Sequence, residues 1–223
     1  MNTEFTRPHL LIALPKLLCF KELFKQTIDG VLQTIGDADV SLVSDRDNEA
    51  GQILRGKGIN AKEVRILTRS NAQTAIKEYS HVLAFWDGDD PTDIVYFAKL
   101  YKKHLRIVQV RITKVRNKNH NEEFDVYIGR GTLWGNPFPI EHETDRFKRK
   151  VVIEKYKEYF IKEIVSKPEK LKLLLTLKGL RLGCHCSPLP CHGDVIADYL
   201  NSLEDELVEP QENFLNSTPN TGH

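Results

Sequence analysis

The chain has 223 residues, a formal net charge of +1 and 28% charged residues. That is enough length for one large domain or two small ones, with no global charge to draw it to nucleic acid or an acidic membrane. Leu10 to Leu14 is too short for a signal-peptide core and is bracketed by Pro8 and Pro15, and no apolar run reaches membrane-spanning length. A cytoplasmic protein with no membrane partner is expected, its cysteines reduced ligands or nucleophiles rather than disulfides.

After the polar residues 1–8, the pattern predicts a strand over His9 to Leu14. A helix follows, in which Phe20, Phe24, Ile28, Val31, Leu32 and Ile35 share one face. Ala38 to Ser44 reads as a second strand, and the helix after Asp45-Arg46-Asp47-Asn48 ends at Gly56 and Gly58. Strands over Glu63 to Thr68, His81 to Trp86 and Arg106 to Ile112 alternate with helices over Asn71 to Tyr79 and Pro91 to Lys103. Such alternation over short loops predicts a Rossmann-like parallel sheet with helices on both faces, and ligands at the C-terminal strand ends. Those ends carry Ser44, Asp45, Asn71, Trp86 and Asp87, the candidate ligand contacts of this half. Trp86 either stacks on a base or packs into the core.

The stretch HVLAFWDGDDPTDIVYFAKLYKKHLRIVQVR, with Ser70-Asn71 and Asp87-Gly88, resembles the closing part of SLOG-superfamily domains. That group includes nucleotide sensors and relatives of the lysine-decarboxylase-like phosphoribohydrolases, and the likeness covers roughly residues 9–111. It implies a nucleotide-like ligand for residues 1–112. The family's Gly-Gly loop after the second strand is replaced here by Ser44-Asp45-Arg46, which puts a side chain and a negative charge where backbone would approach phosphate.

Residues 113–123 are hydrophilic, with Lys114, Arg116 and Lys118, and read as a solvated linker; a nucleic-acid-binding patch is the sharper alternative. Residues 124–206 read as a smaller α/β domain. Its strand Phe124 to Ile128 leads into Gly129-Arg130-Gly131-Thr132-Leu133-Trp134-Gly135-Asn136-Pro137-Phe138, where Arg130, Trp134 and Asn136 are candidate substrate contacts. The other reading makes Trp134 a core plug. Asp145 to Ile164 reads as a helix with Phe147, Val151, Val152, Tyr156, Tyr159, Phe160 and Ile164 inward, and Pro168 opens another. Residues 207–223 lack periodicity and read as a disordered tail.

Between Leu180 and Leu200 the chain concentrates Cys184, His185, Cys186, Cys191, His192 and Asp194. The spacing predicts a strand to Cys186, a turn forced by Pro188 and Pro190, and a helix that starts near Asp194. Three readings stay open. In one, Cys191, His192 and Asp194 are catalytic, at a helix N-terminus that favours anions and thiolates. In another, Cys184, Cys186, Cys191 and His192 bind zinc. In the plainest, Cys184 and Cys186 are small core residues of the strand.

The GRGTLWGNPF loop and the CHCSPLPCHGD turn, taken together, are similar to an uncharacterised domain family found in bacteria, bacteriophages and some eukaryotes. The likeness spans roughly residues 124–200. It marks residues and names no reaction. A hydrolase or transferase acting on a nucleotide, nucleoside or modified nucleobase is the expectation, and a non-catalytic sensor or nucleic-acid adaptor with structural zinc the alternative.

Overall fold

A computed structural model describes residues 7–139 and 146–203. The predicted tail over 207–223 lies outside the described residues.

Strands β1 (His9–Ala13), β2 (Asp39–Val43), β3 (Lys62–Glu63), β4 (His81–Trp86) and β5 (His104–Gln109) form one parallel sheet in the order β3-β2-β1-β4-β5. That order is the Rossmann-like one, with the chain reversing direction across the sheet between β1 and β4. Successive side chains of β1 serve opposite faces, as a doubly covered strand requires. Leu10 and Ile12 pack with α1 (Lys21–Ile35) and α2 (Glu49–Gly56) through Phe24, Ile28 and Leu54. Leu11 and Ala13 pack with α3 (Arg69–Ala75) and α4 (Thr92–Leu100) through Ala72, Ile94 and Phe97.

β3 is much shorter than the strand predicted over Glu63 to Thr68. Only Lys62 and Glu63 pair with β2, Val64 adds one bond to Leu42 at 2.8 Å, and Leu67 is left 83% exposed. The apolar residues past the pairing line a cleft instead of joining a ladder.

A second parallel sheet has the order β6-β8-β7, from β6 (Lys114–Asn117), β7 (Val126–Tyr127) and β8 (Arg181–Cys184). Helices α5 (Arg146–Phe160), α6 (Pro168–Leu175) and α7 (His192–Ser202) complete this half, and α5 runs on into a π-turn over Ile161–Val165. Its core holds Ile128, Trp134, Tyr156, Phe160, Leu182, Cys184, Cys191 and Ile196.

Two further expectations need correction. Residues 113–123 are no linker. Lys114–Asn117 is an edge strand, and Thr113 is clamped by Asn201, whose Oδ1 accepts from Thr113 N and whose Nδ2 donates to Thr113 O, each at 2.9 Å. The stretch is hydrophilic because its cations face acids of the first half: Lys114 Nζ lies 2.8 Å from Asp87 and 2.7 Å from Asp89, and Arg116 also pairs with Asp89. The inner stripe of α5 is also shifted. Phe147 is 77% exposed and Val151 is exposed, whereas Arg149 is buried in line with Tyr156, Phe160 and Ile164. A buried arginine carries no apolar signal, so the stripe's first position was hidden.

Candidate functional site

Two regions collect the candidate residues. The first is a cleft of about 650 Å³ across the C-terminal ends of β1, β2 and β3 and the turn after β4. Ser44 and Asp45 line it, together with Lys16, Arg46, Arg65 and Thr68. Ser44 adopts a left-handed φ of 69°, which carries the chain sharply out of β2. Asp45 then turns its carboxylate onto the start of α2, accepting from Ala50 N at 3.1 Å and Gly51 N at 2.7 Å. Those amides are the donors a phosphate would otherwise use at a helix N-terminus. The chain supplies its own anion there.

Trp86, Asp87 and Asn71 have other partners. Trp86 donates from Nε1 to Thr92 Oγ1 at 3.2 Å. The Asp87 side chain is 2% exposed; it accepts from Asp89 N at 3.0 Å and Asp90 N at 2.9 Å and pairs with Lys114. It therefore builds the turn at the cleft rim and ties it to β6. Asn71 donates its backbone N–H to Thr68 Oγ1 at 3.1 Å, in the capped first turn of α3. Within the turn after β4, Asp89 and Asp90 line the cleft. The hydrogen bond from Lys114, followed by the charges of Lys114 and Arg116, holds Asp89 below the ordinary carboxylate value of 3.8.

The second region is the sulfur-rich bend. Cys184 ends β8 and Cys191 caps α7, and their sulfurs lie 3.6 Å apart. Asp194 accepts from Cys191 N at 2.7 Å while Cys191 Sγ accepts from Gly193 N at 3.2 Å, so sulfur and carboxylate form a reciprocal capping box. His192 is buried and its Nε2 lies 2.8 Å from Ile128 O. A carbonyl only accepts, so Nε2 carries the proton and Nδ1 keeps the lone pair. Cys184, Cys191 and His192 bring two sulfurs and one imidazole nitrogen within 4.8 Å of one another, a set that could hold a metal ion. These are soft donors of the type zinc prefers, and the imidazole already makes the carbonyl hydrogen bond usual behind a ligating histidine.

Cys186 is half-buried, and its amide donates to Cys184 Sγ at 3.4 Å. Hydrogen bonds from Cys184 and Cys191, then from Arg149, hold Cys186 far below the ordinary thiol value, while Cys184 and Cys191 are pushed up by those same bonds and by burial. The Arg149 guanidinium adds a hydrogen bond to the Cys186 sulfur. Arg149 is itself fixed by donating to Pro190 O at 3.3 Å. Burial raises the Asp194 carboxyl above its ordinary value.

The glycine loop and the bend meet. His192 reaches Ile128 at the loop's start, and Tyr156 donates to Trp134 O at 2.7 Å while standing edge-on to the His192 ring, centroids 5.3 Å apart. Trp134 is buried in the core. Asn136 is buried, with its Oδ1 accepting from Phe138 N at 2.9 Å. Arg130 is exposed and reaches Phe138 O at 3.5 Å. Trp134 and Asn136 thus shape the loop from within, and Arg130 is the member of the trio that faces solvent.

Sequence reasoning missed Arg149, Tyr156 and Asn117. The Asn117 side chain donates to Ser187 O and receives Asn119 N at 2.8 Å, bracing the bend from β6. A tyrosine in a helical stripe and an asparagine in a polar run give no sequence signal of such roles.

The described residues thus define a parallel α/β protein with a Rossmann-like half and a smaller half built around a Cys/His bend. The family described as Domain of unknown function (DUF4326) matches residues 110–202. The uncharacterized 12.4 kDa protein in the nrdA-td intergenic region of Enterobacteria phage T4 is 44% identical over 101 residues, which cover 44% of this chain and 89% of the phage protein. The chain belongs to this family. No solved structure matches. Among the described residues, no helix is long and apolar enough to cross a membrane.

Proposed function

We propose that the chain binds a nucleotide-type ligand in the cleft of the first sheet and acts on a nucleotide, nucleoside or modified base. The observation that carries this is the cleft's position: it opens at the C-terminal strand ends, where the chain reverses between β1 and β4, and three cations line it. Arg46 and Arg65 are both exposed and both line it. With Asp45 on the α2 amides, phosphate is held by side-chain cations rather than by backbone. The resemblance to SLOG-type domains supports the same ligand class.

A thermal-shift series with AMP, GMP and the corresponding nucleosides tests it. A ligand at one hundred times its Kd adds about 2.7 kcal/mol of stability, and Arg46→Ala with Arg65→Ala is expected to weaken the nucleotides more than the nucleosides. If neither nucleotides nor nucleosides shift the midpoint, the proposal fails.

A second reading is carried by the convergence of Cys184, Cys191 and His192. We infer a structural zinc ion there, with Cys186 as the fourth donor. Bound zinc would cross-link β8, the proline turn and α7. Metal analysis after purification without chelator is expected to find one zinc per chain, lost in Cys184→Ser. A chain that is folded and free of zinc would rule the reading out.

A further inference from the structure

The three parallel strands of the second sheet end on a group of side chains that neither the cleft nor the sulfur cluster uses. β6 is followed by Lys118 and Asn119, β7 ends at Tyr127, and β8 is followed by His185. His185 stands between the other two, with Nδ1 2.8 Å from Asn119 Oδ1 and Nε2 3.0 Å from Tyr127 Oη. An amide oxygen only accepts, so Nδ1 carries the ring proton. Nε2 then presents its lone pair, and the Tyr127 hydroxyl donates to it. An acceptor that fixes an imidazole, and an imidazole that faces a hydroxyl, repeat the order of roles of an orienting group, a base and a nucleophile.

The surroundings suit a reaction at that hydroxyl. Lys118 Nζ lies 4.9 Å from the centre of the Tyr127 ring, where its charge offsets negative charge growing on the phenol oxygen. The hydroxyl folds back over Gly129, where a Cβ would come within 2.0 Å of it. Glycine at 129 therefore lets Tyr127 Oη rest against the loop that carries Arg130. Tyr127 is half-buried, while Lys118, Asn119, His185 and Arg130 are exposed, so a substrate enters from solvent.

We propose that Tyr127, His185 and Asn119 form a second chemical site, independent of the cleft, which takes a phosphate ester between Lys118 and Arg130. Tyr127 is the nucleophile, His185 the general base, and Asn119 the positioning residue. The tyrosine oxygen forms a bond to phosphorus while the bond to the leaving oxygen breaks; the phenolic proton passes to His185 Nε2 and from there to the leaving oxygen. Water then hydrolyses the phosphotyrosyl bond and restores the site.

Tosyl fluoride reports on this tyrosine without a known substrate. Its sulfur forms a bond to the phenol oxygen, fluoride leaves, and the proton goes to the base. With the full chain and peptide mass mapping, Tyr127 is expected to label on the order of a hundredfold faster than Tyr96, an internal reference that is 48% exposed. His185→Ala should bring Tyr127 down to the Tyr96 rate, and Asn119→Ala should lower it part of the way. Phenyl phosphate should slow labelling of Tyr127 alone, and Lys118→Ala should relieve that protection. Equal rates for Tyr127 and Tyr96, or no change in His185→Ala, overturn the relay. Fast labelling that phenyl phosphate does not slow overturns the phosphate assignment.

Discussion

The two parallel sheets finish differently at their C-terminal edges. In the five-stranded sheet the edge opens into a cleft, and the polar groups expected to meet a ligand are largely turned inward onto the protein: Asp45 onto α2 and Asp87 onto its own turn and Lys114. In the three-stranded sheet the edge is filled, with Cys184, Cys191 and His192 buried together and Tyr127, His185 and Asn119 joined on the surface beside them. Space and chemistry are divided between the halves. A parallel sheet offers a site at its strand ends, but whether that site is a room or a cluster depends on which side chains are satisfied from within.

The largest test of the contrast is removal of the sulfur cluster. Structural zinc contributes on the order of 10 kcal/mol in small modules. On the zinc reading, Cys184→Ser or prolonged chelation is therefore expected to melt the three-stranded half, while the five-stranded sheet keeps its hydrogen-exchange protection except around the turn after β4, where Asp87 loses Lys114, as followed by mass spectrometry. A single shared transition would show that the halves are not energetically divided at all.

Next in size is Asp87→Ala. It strips a buried acceptor from two backbone amides and an ammonium, and should cost about 3 kcal/mol in urea unfolding. Asp89→Ala, whose side chain is 50% exposed, should cost less than about 1 kcal/mol. If the two cost the same, the rim of the cleft is not anchored through Asp87.

Within the filled edge, Tyr156→Phe deletes the hydroxyl that holds Trp134 O. A loss of about 1–2 kcal/mol is expected, with a changed near-ultraviolet signal from Trp134. The smallest effect is one of pH. Lys114 and Arg116 hold Asp89 below 3.8 in the folded protein, so its contribution is present above that value and is lost as pH falls through the lower folded value. Asp89→Asn should flatten that part of the acid limb in midpoint-versus-pH measurements.

How much of this was legible in the sequence depended on whether burial and side-chain type agreed. β4 and α1 were readable because His81 to Trp86 is apolar on both faces and Phe24, Ile28 and Val31 repeat on one side of a helix. β6 was not, because an edge strand whose Lys114 and Arg116 answer acids in another element looks like a solvated linker. Arg149 was hidden for a related reason, since a buried guanidinium breaks the apolar stripe it belongs to. The Cys/His bend was conspicuous by composition. Composition was silent on the division of labour within it: Cys191 and Asp194 cap a helix, His192 is pinned to a carbonyl, and Cys186 takes a hydrogen bond from Arg149.

The salt-bridged seam between Asp87 and Lys114 makes the two halves unequal partners. Divide the chain between them, and the C-terminal piece merely hands two cations back to water. The N-terminal piece is left with an interior carboxylate and no counter-ion. Dependence runs one way: the Rossmann-like half relies on its neighbour's lysine more than the neighbour relies on it.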